Sequence, residues 1–111
     1  MPVSDCSTFA SLSPARRRLL RLMQRLNFGR IEELSIRRGE PLFDPMPRVV
    51  VEHKFSSENG ARPEAGMADF PLKNQHLDLF RLFDSLQDEN FAMLRVMHGT
   101  PFSCEYDGAG L

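Results

Sequence analysis

The chain has 111 residues, 41% of them hydrophobic and 26% charged, enough apolar material for one buried core and too balanced a composition for wholesale disorder. Its formal net charge of −1 excludes a global attraction to nucleic acid or to an acidic membrane, and no apolar run approaches the ~18 residues of a membrane span. The two cysteines, Cys6 and Cys104, fall in no metal-binding or redox spacing, so they read as reduced thiols of a cytoplasmic protein that carries no cofactor.

In chain order, residues 1–12 read as a loose tail. Ser13-Pro14 then supplies an N-cap followed by proline at the first helical position. Ala15, Leu19, Leu22, Met23 and Leu26 recur on one helical face, and Asn27-Phe28-Gly29 ends the helix. A strand follows with Leu34 and Ile36 on one side and Glu33, Ser35 and Arg37 on the other. It turns at Arg38-Gly39, where glycine takes the positive φ of a tight hairpin, and returns through Pro41. Arg48 to Phe55 is a β-branched run with Val49, Val51, His53 and Phe55 on one face, a further strand. Residues 56–70 hold Gly, Pro, Ser and Asn without periodicity and predict a surface loop.

The remainder repeats the beginning. Residues 19–43 align without a gap on residues 79–103, with identities at Leu19/Leu79, Arg21/Arg81, Leu22/Leu82, Leu26/Leu86, Leu34/Leu94, Gly39/Gly99 and Pro41/Pro101. The second helix is expected to open at Pro71, capped by Asp69 or Phe70. Its buried face is Leu72, His76, Leu79, Leu82, Phe83 and Leu86. The second hairpin is expected over about Phe91 to Asp107, turning at His98-Gly99. The predicted fold is α+β: a two-layer sandwich from a duplicated α-β-β unit, about five mostly antiparallel strands with two helices on one face. One domain holds everything, with residues 13–55 as the first unit plus an extra strand, 71–107 as the second, and 108–111 as a tail. The order α-β-β-β-α of the first five elements resembles that of double-stranded-RNA-binding domains. That family has a basic start to its second helix, and Phe70–His76 offers a single lysine, Lys73, so no residue role is carried over.

Three features bear on function. Arg18, Arg21 and Arg25 line up at i, i+3 and i+7 opposite the leucine face, beside Arg16 and Arg17. They are candidate contacts for nucleic acid or another anion. The competing expectation is pairing with the second helix, because Asp78 and Asp84 stand sixty positions from Arg18 and Gln24. Ten Lys/Arg against six Asp/Glu in residues 1–55, and four against nine in residues 56–111, give halves of opposite sign. The two turn residues Arg38 and His98 would be neighbours if the hairpin tips lay together, and are a further candidate anion contact. Leu77 and Phe80 extend the apolar surface of the second helix beyond one stripe and are candidate interface residues. His53, His76 and His98 fall in no metal spacing. No phosphate-binding loop, dinucleotide fingerprint or hydrolase motif is present, and Glu32/Glu33 are adjacent residues that a strand points to opposite faces. The expected role is therefore a non-enzymatic protein-interaction module that self-associates, with homodimerisation through the second helix or a sheet edge. The alternatives are nucleic-acid binding through the first helix and a small enzyme without a recognisable motif.

Overall fold

The computed structural model describes residues 8–55 and 59–108. Helix α1 spans Pro14–Leu26 and α2 spans Asn74–Leu86. The strands are β1 (Gly29–Arg37), β2 (Glu40–Pro41), β3 (Arg48–Val51), β4 (Glu89–Met97) and β5 (Thr100–Tyr106). They form one antiparallel sheet in the order β2-β1-β4-β5, with β3 pairing β1 beyond β2 on the same edge. The α+β architecture of five antiparallel strands and two helices is the one the hydrophobic pattern predicts.

The sixty-residue offset governs the structure as it does the sequence. Both helices and both central strands begin and end sixty positions apart. The helices stop at Asn27 (φ 60°, ψ −58°) and Gln87 (φ 65°, ψ −65°), each of which bends the backbone the same way. The β1–β4 register is itself symmetric: Gly29↔Val96 maps onto Glu89↔Ile36 under the offset, and Arg30↔Arg95 onto Asn90↔Ser35. The two units thus face each other across a local two-fold axis that passes between β1 and β4. On the helix side of this seam Ile31, Leu34 and Ile36 meet Phe91, Leu94 and Val96, all buried. Leu19, Leu20, Met23, Leu79, Phe80 and Phe83 cover them.

The hairpin tips lock the units together. Arg38-Gly39 and His98-Gly99 have positive φ at both central positions, the requirement of a type I′ turn. The Gly39 N–H donates to the Gln87 carbonyl at 2.8 Å, and the Gly99 N–H donates to the Asn27 carbonyl at 3.0 Å. Each tip therefore satisfies a carbonyl at the C-terminus of the other unit's helix, which would otherwise lack a partner.

Four boundaries differ from expectation. Residues 8–12 are packed rather than loose: Phe9–Ser11 forms a 3-10 turn, Phe9 and Leu12 are buried, and Thr8 bridges Pro71. Residues 1–7, with Cys6, and residues 109–111 lie outside the described set. The second helix starts at Asn74, not Pro71, because Phe70-Pro71 is extended against this N-terminal segment. The Phe70 carbonyl accepts from Phe9 N–H at 2.9 Å, and Asp69 Oδ1 accepts from Ala10 and Phe70 rather than capping a helix. The third strand ends at Val51, opposite Gly29, where β1 itself begins. Beyond it His53 and Phe55 find no strand to pair with and are exposed. Within the stretch 56–70, Pro63–Gly66 is a 3-10 turn and Phe70 is buried.

Candidate functional site

The arginines of α1 divide by direction. Arg16 turns inward: its Nη2 reaches Asp84 Oδ1 at 2.5 Å and the Gly39 carbonyl at 2.9 Å, with Glu40 Oε2 3.9 Å from Nε. It carries the pairing between units that the sequence suggested for Arg18. Asp78, the expected partner of Arg18, instead lies 3.3 Å from Arg81 on its own helix.

Arg17, Arg18, Arg21 and Arg25 line an open groove of about 510 Å³ between α1 and the segment that follows β2. Phe9, Leu22, Phe43 and Met46 complete its walls, and no lining residue among those described is acidic. The Arg18 guanidinium sits 4.3 Å above the Phe43 ring and its Nη2 is 3.8 Å from Met46 Sδ. Arg21 sits 4.1 Å above Phe9 and also bonds Gln24 Oε1 and the Met67 carbonyl. Stacking on rings holds these cations without neutralising them. Among the described residues Arg17, Arg18 and Arg25 have no carboxylate within 4.0 Å. Helical rise spreads Arg17 to Arg25 over about 12 Å. The helix sequence shows the arginine stripe but not its aromatic support, because Phe9 and Phe43 arrive from flanking segments.

The same groove recurs at the opposite edge of the sheet, between α2 and β5, with about 210 Å³. Asp78 stands there in the position of Arg18, Leu82 in that of Leu22, and Ser103 in that of Phe43. Phe102, 67% exposed, projects beside it. The two grooves share a leucine at equivalent positions, Leu22 and Leu82, and differ in charge.

The remaining candidates are placed otherwise than the sequence suggested. Arg38 and His98 are not neighbours, because antiparallel pairing of β1 with β4 sends the two tips to opposite ends of the sheet. Arg38 N–H donates to Asp88 Oδ1 at 2.9 Å, and the His98 ring meets Phe28 edge-on at 4.8 Å. Phe80 is 4% exposed, in contact with Phe83 and beneath the Arg16 guanidinium. It is a core residue, since α2 buries a second stripe against α1's Arg16, and no interface can use it. Leu77 is half-buried.

His98 instead borders a cavity of about 370 Å³, together with Gln24, Arg62, Lys73 and His76. His76 is 2% exposed and its Nε2 lies 3.3 Å from the Gly99 carbonyl, the contact that Arg16 makes to Gly39 in the first unit. Apolar walls come from Met67, Phe70, Pro71 and Leu72. The offset that relates Arg16 to His76 is the one signal in the sequence that would have found this site. No group of three or more His, Cys, Asp or Glu side chains among the described residues could hold a metal ion. No helix among them is long and apolar enough to cross a membrane. No family model matches the chain, and no curated protein or solved structure matches it either.

Proposed function

We propose that this chain is a protein-interaction module, without a chemical step of its own, that associates head to tail with further copies of itself. The arginine groove of one copy takes the apolar edge of α2 and β5 of the next, where Asp78, exposed beside Arg81, is the acidic lining residue. The observation that supports this reading is the pair of equivalent grooves, one lined by Arg17, Arg18, Arg21 and Arg25 and the other by Asp78 beside the exposed Phe102. Complementary sign steers encounter and sets register, and a protruding ring seated between Leu22, Phe43 and Met46 supplies apolar contact. Exposed ion pairs contribute only about 0.2–1 kcal/mol each, so the association is weak and sensitive to salt. Because the grooves lie at opposite edges of the sheet, the contact is heterologous and builds rings or open chains rather than a two-fold dimer.

Two features favour this over the alternatives. Arg21 covers one face of Phe9 and Arg18 one face of Phe43, which leaves less ring surface on which a single-stranded nucleic acid can stack its bases. Direct strand addition at β5 is opposed by Pro101, which lacks an N–H, and by a register shift between Arg95 and Val96.

Sedimentation velocity across a concentration series tests the reading. Wild type should sediment faster as concentration rises, and added salt should reverse the effect. Arg18→Glu with Arg25→Glu should be monomeric, as should Asp78→Lys. Mixed in equal amounts the two variants should form a one-to-one pair, since each retains the groove the other has lost. A monomeric wild type at low salt and high micromolar concentration overturns the reading. Oligonucleotide binding that is salt-dependent and lost in the double arginine variant would replace it with the nucleic-acid function.

A further inference from the structure

We infer that the cavity at the second hairpin tip is a binding site for a small organic carboxylate, an anionic head on a short apolar body. The first unit shows what such a position requires. There Arg16 grips the Gly39 carbonyl, Asp84 comes within 2.5 Å of its guanidinium, and Glu40 lies 3.9 Å away with Ser13 Oγ bonded to it at 2.5 Å. Two carboxylates of the chain itself fill the space beside the tip.

In the second unit both are missing. Gln24 stands for Asp84 and Thr100 for Glu40, while Lys73 replaces Ser13 and His76 replaces Arg16. Thr100 turns away, donating to the Met97 carbonyl at 2.8 Å. What remains is an unfilled volume of about 370 Å³, at the small end of the range for ligand pockets. Its polar side is rich in donors, and none of its described lining residues is acidic.

Gln24 is the telling group. It is 3% exposed, and its Oε1 accepts from Arg21 Nη1 at 3.2 Å, which fixes the orientation of the amide. Its Nε2 donates to no acceptor among the described residues. Arg62, Lys73 and His76 each engage other groups of the chain as well, so the inference rests on the amide and on the two replaced carboxylates. The residue lines the cavity and its Nε2 is not sealed from solvent, so a carboxylate oxygen entering beside it would accept its hydrogen bond. Arg62 and Lys73 on the rim add favourable charge, and Phe70, Leu72 and Met67 offer an apolar wall for the rest of the molecule.

The test uses hexanoate as probe, with 1-hexanol and inorganic phosphate as comparisons, followed by amide and side-chain NMR shifts of the full chain. Hexanoate should give saturable shifts at the Gln24 side-chain amide and at Gly99, with far weaker effects from either comparison. Gln24→Glu removes the donor and sets a carboxylate of the chain against the probe's, and should weaken hexanoate at least tenfold while leaving the melting temperature equal or higher. If that variant fails to fold, His98→Ala and Lys73→Ser serve in its place, each expected to weaken the probe several-fold. The inference is overturned by an absence of saturable shifts at millimolar hexanoate, by equal shifts from 1-hexanol, or by variants that bind as wild type does. It stands apart from the self-association above, because neither groove contributes Gln24 or His98.

Discussion

Phe80 shows how a residue's role depends on what packs above it. From its own helix it looks like the edge of an exposed patch, but Arg16 of the other unit lays its guanidinium 5.2 Å over the ring and seals it. Truncation to alanine is expected to cost about 3–5 kcal/mol, the usual range for a buried phenylalanine. Phe80→Glu, which buries an unpaired charge, should leave the chain unfolded. Urea titration followed by far-ultraviolet circular dichroism distinguishes this from a surface role, for which both variants would melt as wild type. Glu32, on the outer face of the sheet, makes a different prediction. The hydrogen bond from Arg30 Nε at 2.7 Å, aided by Arg48, holds its carboxyl below the ordinary carboxylate value. A group whose folded pKa is lowered adds stability that is present above its unfolded pKa and lost as pH falls through the folded one. Wild type should therefore exceed Glu32→Gln in urea midpoint near neutrality, and the gap should close on acidification below the ordinary carboxylate range. A gap independent of pH would contradict this.

The two helices, equal in length, begin on different terms. Ser13 Oγ accepts from Arg16 N–H at 3.2 Å, whereas Lys73 at the same place in α2 offers no side-chain acceptor. Ser13→Ala should thus destabilise by about 0.5–2 kcal/mol, and Lys73→Ser should stabilise modestly, each read as a shift in urea midpoint. Equal and negligible effects at both positions would show that neither end is limited by capping. The same contrast explains which boundaries were legible. Ser13-Pro14 is a local signal and located α1 to the residue. Asp69-Phe70-Pro71 offers a similar signal, a capping residue shortly before a proline, but an N-terminal segment pairs with it, and that partner cannot be read from the letters themselves. Likewise Arg48–Val51 is legible as a strand from its valines. Its end is set by where β1 starts, so His53 and Phe55, in phase with the pattern, are left outside. The arginine stripe was legible for the same local reason, and the rings of Phe9 and Phe43 that support it were not.

At the scale of the molecule, the repeat determines how the chain comes apart. A sixty-residue offset was visible in leucines and glycines, and it foretold the helices, the central strands and both turns. What it could not convey is that the units would meet through β1 and β4 and exchange contacts at their tips. Those contacts make each unit incomplete alone: Gly39 satisfies Gln87, Gly99 satisfies Asn27, and Arg16 reaches Asp84. The seam residues Ile31, Leu34, Ile36, Phe91, Leu94 and Val96 form one buried cluster with both helices, so opening either unit exposes the core of the other. Unfolding should accordingly be a single two-state transition. Amide exchange in α1 and α2 should report the same opening free energy, equal to the global value from urea. Destabilising one unit by Ser13→Ala should lower both helices' exchange free energies by the same amount. If α1 responded while α2 kept its original protection, the units would be independent bodies joined by a strand pair, and the shared core inferred from the β1–β4 register would not be what holds them.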